Sequence, residues 1–242
     1  MEIRRFATAG EMVLAVAHHV VSAVHRRPNL VLGVPAGRSP VGVYEELGRM
    51  RAAGAVDFSR VTGFAVDEFM GLDRSHHGSF HRFISEHLLA GVNIPTHQFH
   101  SLNGAANDPD AECERYEAAI DHAGGVGLQL LGIGVNGHIG FNEPANALVA
   151  RTHRVTLLEA TRRANAAQFG GDEARVPREA LTMGIGTILK AEAVILIASG
   201  AGKAESVERM IRGPITTQVP ASFLQTHRRV DVYVDEAAAS RL

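Results

Sequence analysis

With one cysteine among 242 residues, the chain has no means of forming an internal disulfide framework. That residue, Cys113, sits in the helical stretch "DAECERYEAAI" without an activating pattern around it, so it reads as a small packing residue rather than a nucleophile. No charge of one sign dominates: 24 basic against 26 acidic side chains leave a formal net charge of -2, with no general attraction to nucleic acid or an anionic membrane. An anionic ligand must therefore be held by local groups. There is no long apolar span and no signal-peptide pattern, which makes a cytoplasmic location the expectation and a membrane partner unexpected. Linkers of low complexity, internal repeats and blocks of like charge are absent too, so the whole chain, residues 1–242, is expected to form one domain.

What is present is a regular alternation. Short apolar, β-branched runs recur at "LVLGVP" from Leu30, "VTGFAV" from Val61, "LQLLGIG" from Leu128, "AVILIAS" from Ala193 and "VDVYVD" from Val230. Such runs read as buried strands. Between them lie segments of helical period, including "AGEMVLAVAHHVVSAVHRR" behind a Thr8 cap, "SPVGVYEELGRM" and "AGKAESVERMIR". Alternating strands and helices predict an α/β, Rossmann-like domain with a mainly parallel sheet and helices on both faces. Ligands of such sheets bind beyond the carboxyl ends of the strands, where the chemistry-bearing stretches of this sequence fall.

The stretch "LGIGVNGHIGFNEP" contains G-x-G-x-x-G at Gly132, Gly134 and Gly137, directly after an apolar run. A dinucleotide turn must enter a helix at once so that the helix N-terminus faces the pyrophosphate. Here Gly140, Asn142 and Pro144 follow instead, and they oppose a helix. The remaining reading is a glycine-rich loop that presents His138 and Glu143. A neutral imidazole can carry a proton between a sugar hydroxyl and a ring oxygen, and a nearby carboxylate fixes its tautomer; the alternative is a solvated loop histidine with an unrelated glutamate.

In "VTGFAVDEFMGL", Asp67 and Glu68 end an apolar strand, so one carboxylate is expected over the edge of the sheet as a base for a proton α to a carbonyl; the alternative is an Asp that caps the next turn. In "LVLGVPAGRSPVGVYEEL", a turn containing Gly37, Arg38 and Ser39 leads to a helix beginning near Ser39 and Pro40. This arrangement suits a phosphate, or else a plain turn with a Ser cap and Pro at the first helical position. "ASGAGKAES" places Lys203 in a similar position. Ile197 and Ala204 break the Walker A pattern, so nucleoside triphosphate hydrolysis is not expected, whereas a lysine reaching a monophosphate fits. His77 and His81 would share a helix face, but no carboxylate or cysteine completes a metal-ligand set, and no metal is expected. The segment from 151 to 177, with its polar turn "GGDEARVP", is either a mobile flap or an ordinary strand and helix at the sheet edge.

Taken together, "LGVPAGRSPVGVYEEL", "VDEFMGL", "LLGIGVNGHIGFNEPANAL", "RTHRVTLLEATRRANA", "VPREALTMGIGTIL", "SGAGKAESV" and "VPASFLQTH" resemble the glucosamine-6-phosphate deaminase (isomerase) family over nearly the whole chain, "GHIGFNEP" being the most specific. The resemblance implies conversion of glucosamine 6-phosphate and water to fructose 6-phosphate and ammonia without a metal or organic cofactor. By matching motif positions it implies ring opening by His138 with support from Glu143 and Asn136, and proton transfer between C2 and C1 by Asp67. It further implies phosphate binding by Gly37, Arg38, Ser39 and Lys203, and an active-site lid at about 151–177.

The chain departs from the family in several places. Asn136 stands where some members have Asp, and Ala167 stands where the lid usually carries a phosphate-binding Arg, for which Arg38 is the expected replacement. Asn146, His153 and Val155 occupy activator-binding positions of the hexameric members, whose C-terminal extension is also missing. The expectation is a monomer or small homo-oligomer without that activation. Galactosamine-6-phosphate deaminase, 6-phosphogluconolactonase and a non-catalytic sugar-phosphate-binding domain are the alternatives.

Overall fold

The computed structural model describes residues 1–242. The chain opens with β1 (Glu2–Phe6) and α1 (Ala9–Arg26), followed by β2 (Val31–Val34), α2 (Val41–Ala52), β3 (Thr62–Ala65), β4 (Asp67–Phe69) and α3 (Phe80–Ile84). Its middle comprises β5 (Phe99–His100), α4 (Pro109–His122), β6 (Leu128–Gly132), β7 (His153–Thr156) and α5 (Glu159–Asn165). It ends with β8 (Glu179–Thr182), α6 (Ile185–Leu189), β9 (Ala193–Ala198), α7 (Ala204–Arg212) and β10 (Val230–Asp235). None of the helices is long and apolar enough to cross a membrane.

Seven strands form a wholly parallel sheet in the order β1-β10-β9-β6-β2-β3-β5. The period-two alternation of each central strand sends its side chains into two separate cores. Leu32, Leu130, Ile195 and Ile197 pack under α1 and α2, whereas Val31, Leu131, Val194 and Leu196 pack under α4 and α7. Helices cover both faces, as the sequence pattern implies. Thr8 caps α1, its hydroxyl accepting the Glu11 N–H at 3.1 Å.

From β2 the chain builds outward through β3 to β5, then returns to place β6 on the other side of β2. The loops leaving β2 and β6 therefore diverge, opening a crevice at the carboxyl ends of these two strands.

The sequence pattern does not anticipate the second sheet. β4, β8 and β7 pair antiparallel, with Asp67 opposite Thr182 and Thr182 opposite His153. A smaller core packs β4 and β8 of this sheet against α3 and the chain on either side of α5. In it Phe69 lies 4.7 Å from Phe80, 5.2 Å from Phe141 and 5.5 Å from Phe169 between ring centroids. These tilted and edge-on contacts are the favourable geometries of aromatic pairs. One cluster thus joins the strand bearing Asp67, the loop after His138 and the 151–177 segment.

Two local expectations need correction. The α2 helix begins at Val41, with Pro40 in the capping position and no side-chain cap, so Ser39 is not used as a cap. His77 precedes α3, so it shares no helix face with His81. His81 instead has Nδ1 2.9 Å from the Ser101 hydroxyl, and no group of three His, Cys, Asp or Glu side chains could hold a metal ion. Cys113 is a buried residue of α4, and burial with nearby Asp110, Glu112 and Glu117 pushes its thiol up to about 11, consistent with a packing role.

Candidate active site

Every strand-end stretch singled out in the sequence converges on one cavity over the crevice. Its wall includes Gly37, Arg38 and Ser39 after β2, Asp67, His138 after β6, and Lys203 after β9. Ala160, Thr161, Ala164 and Asn165 of α5 form its far side.

The β2–α2 turn is fixed from below. The buried Tyr44 hydroxyl donates to the Pro35 carbonyl at 2.6 Å, and Gly37 takes φ 102°, a left-handed conformation that side-chain-bearing residues rarely adopt. Lys203 is half-buried and donates to the Ile133 carbonyl at 2.6 Å. Burial, with the nearby Arg38 charge, lowers the pKa of this ammonium. Its turn is anchored by Asp235, which accepts from the Ser199 hydroxyl at 2.7 Å and the Gly200 N–H at 3.0 Å.

Asp67 and Glu68 have separate fates, because adjacent strand residues point to opposite faces. Glu68 turns away and accepts four hydrogen bonds, from the N–H groups of Phe69, Phe80 and His81 and the hydroxyl of Ser79, thereby holding the start of α3. Asp67 lines the cavity at only 6% exposure. Burial, and secondarily the charge of Glu68, pushes its carboxyl well above the ordinary aspartate range.

After β6 the glycine-rich loop bends back on itself, the Gly134 N–H donating to the His138 carbonyl at 2.9 Å. The ring of His138 lies against the Gly134 backbone so closely that a Cβ there would come within 2.3 Å of it. These glycines serve close approach, and no helix follows them. Glu143, 5% exposed, has Oε2 3.6 Å from His138 Nδ1. The same oxygen accepts from Asn136 Nδ2 at 2.9 Å, while Oε1 accepts the Leu158 N–H at 3.2 Å. Asn136 also accepts the backbone N–H of His138 at 3.2 Å, so it positions the loop and the carboxylate and makes no bond to the imidazole. Burial alone would raise the pKa of Glu143; the adjacent His138, with Thr161 and Asn136, outweighs it and holds the carboxyl below its usual range.

The sequence reading missed Thr161. This α5 residue is 2% exposed, and its hydroxyl lies 3.3 Å from His138 Nδ1. A signal was present, since Ala160, Thr161, Ala164 and Asn165 form a small-residue face at helical spacing within an otherwise charged segment. Of the two readings for residues 151–177, the segment contains both a strand and a helix, but they belong to the second sheet and the cavity wall, not to the edge of the large sheet. Ala167 is exposed and lies outside the cavity lining.

A protein-family model described as glucosamine-6-phosphate isomerases/6-phosphogluconolactonase matches residues 5–233. A glucosamine-6-phosphate deaminase of Clostridium perfringens is 46% identical over 232 residues, covering 96% of each chain. One of Pseudarthrobacter chlorophenolicus is 47% identical over 226 residues, covering 93% of this chain and 86% of the relative. Among solved structures, a monomeric glucosamine-6-phosphate deaminase superposes with a TM-score of 0.97 at 38% identity, covering 100% of both chains. A 6-phosphogluconolactonase from Thermotoga maritima, at 19% identity and TM-score 0.76 over 97% of this chain and 99% of the other, shares the fold.

Proposed function

The chain belongs to the glucosamine-6-phosphate isomerase/6-phosphogluconolactonase family, and on that premise we propose that it isomerises and deaminates glucosamine 6-phosphate to fructose 6-phosphate and ammonia. The observation that carries this reading is the convergence of a buried carboxyl, a carboxylate-supported imidazole and a cationic turn on one cavity.

The phosphate sits among Gly37, Arg38, Ser39 and Lys203, where backbone and side-chain donors meet two positive charges. His138 takes the proton of the anomeric hydroxyl and returns it to the ring oxygen, opening the pyranose; Glu143 stabilises the imidazolium formed on the way. Asp67 then removes the C2 proton and delivers it to C1 through an enolamine. Water adds to the resulting C2 imine and ammonia leaves. Ring opening and proton transfer need acid–base groups, the final step adds water and expels ammonia, and the oxidation at C2 is matched by the reduction at C1, so the reaction needs no external oxidant or reductant. The 151–177 segment acts as the lid, with α5 over the sugar. The assembly in this reading is a monomer or small homo-oligomer, in keeping with the monomeric relative.

Incubation with glucosamine 6-phosphate is expected to release one ammonia per fructose 6-phosphate formed, and faster than with galactosamine 6-phosphate. Release from neither sugar, or hydrolysis of 6-phosphogluconolactone in their place, would sink the proposal.

No lid arginine supplies charge to the cavity. Arg162 donates to the Glu173 and Val176 carbonyls, and Arg163 pairs with Glu159 and Glu173. Arg38 and Lys203 are the cationic side chains in its wall. Arg38→Ala is therefore expected to raise KM for the phosphosugar about 10-fold to 100-fold, the scale of one lost charge-assisted hydrogen bond, with a smaller effect on kcat. An unchanged KM would refute the replacement role for Arg38.

A further inference from the structure

The His138–Glu143 pair is longer than a direct hydrogen bond, with Nδ1 and Oε2 3.6 Å apart. Thr161 approaches the same nitrogen from α5, its hydroxyl 3.3 Å from Nδ1. A threonine hydroxyl offers one donor and two acceptor sites, so it can accept from an imidazole N–H while donating to a carboxylate. The reverse direction fits less well. If Thr161 donated to an unprotonated Nδ1, Glu143 would lose a donor on the side where Asn136 supplies only one.

We propose that Thr161 is a positioning residue for ring opening. Its hydroxyl accepts the Nδ1–H of His138 and donates to Glu143, bridging the two and keeping the basic Nε2 free for substrate. The inference rests on the deaminase reading for what His138 does, and on the geometry alone for how His138 is held. Glu143 accepts the Leu158 N–H through its other oxygen, so the first turn of α5 grips the pair at two points. Asp67, Arg38 and Lys203 line the same cavity, and Glu143 is the carboxylate in contact with the imidazole.

Thr161→Val keeps the shape and removes the hydroxyl; Thr161→Ser keeps the hydroxyl. The valine variant is expected to lose about tenfold in kcat with KM for glucosamine 6-phosphate within about twofold of the unaltered protein, and the serine variant to recover most of that loss. Nitrogen-15 NMR of the ligand-free protein is expected to show His138 mainly as the Nδ1–H tautomer, shifting toward a mixture in the valine variant and not in the serine variant. Thr161→Ala supplies the same comparison if the valine protein does not accumulate. An unchanged tautomer in the variant lacking the hydroxyl, or equal impairment of the valine and serine variants, would overturn the bridge. Should the unaltered protein release no ammonia, the reaction would fall, and the tautomer measurement would still decide whether Thr161 bridges.

Discussion

Asp67→Asn is expected to reduce ammonia release by about 10²-fold to 10⁴-fold, the range for loss of a positioned general base, while raising the melting temperature at neutral pH. Both effects follow from one placement. Asp67 is buried in the cavity wall, and its pKa is raised by that burial and by Glu68. Below the ordinary aspartate pKa the group is protonated in both folded and unfolded chains and contributes no difference. As the pH rises past that value, the unfolded chain ionises it first, so the native state holds the extra proton and stability falls until the raised folded pKa is passed. Asparagine, which cannot ionise, removes this penalty. The expected advantage in melting temperature therefore vanishes when the pH falls below the ordinary aspartate range. Parallel melting curves and assays from acid to neutral pH test the pairing; an asparagine variant that retained more than about a tenth of the activity would remove Asp67 from the role of base.

Glu143→Gln is expected to lower kcat by about 10²-fold or more, leaving KM nearly unchanged, because the interaction matters most when the imidazole becomes charged. The donors already facing this carboxylate are the Asn136 amide and the Leu158 N–H, with the His138 ring 3.6 Å away. A glutamine would have to turn an NH2 toward at least one of them. The linkage has the opposite sign to that of Asp67. The net depression of the Glu143 pKa contributes stability above the ordinary glutamate pKa, and this is lost as the pH falls through the lower folded value. Two carboxyls in one site are thus driven apart in proton affinity, one by burial and the other by its donors, which suits them to different tasks. A glutamine variant with unimpaired kcat would show that the His138 ring needs no anionic partner.

The large sheet was legible because its central strands, such as "AVILIA" and "LQLL", are buried on both faces and so read as continuous apolar runs. The second sheet was not. Its strands "DEF", "HRVT" and "EALT" are three or four residues long and mix charged with apolar positions, leaving too few repeats for a period to emerge. β1, "EIRRF", was hidden for a related reason, being an exposed, charged strand at the sheet edge. Within the site, the motif residues were visible because they stand out chemically at strand ends. Thr161 was not, since the small-residue face of "EATRRAN" marks a packed side of the helix, and which residue that side meets is set only when β7 and α5 fold back over the β6 loop. Asp235 likewise supports Lys203 from a distant strand, a contact that local spacing cannot encode.

The antiparallel trio of β4, β8 and β7 has a consequence for how this enzyme can be remodelled. β7 and β8 clamp the two ends of the intervening chain, with Thr156 opposite Glu179, and the contacts to the His138 pair are complete by Thr161. The 3-10 turns that follow, Ala166–Phe169 and Glu173–Arg175, meet at Gly170 and Gly171, whose left-handed φ values of 73° and 83° mark an exposed bend. Length and sequence can therefore be exchanged at that bend, much as a tool head is swapped on a fixed handle. Grafts there would vary this surface bend while the proton-handling groups keep their places.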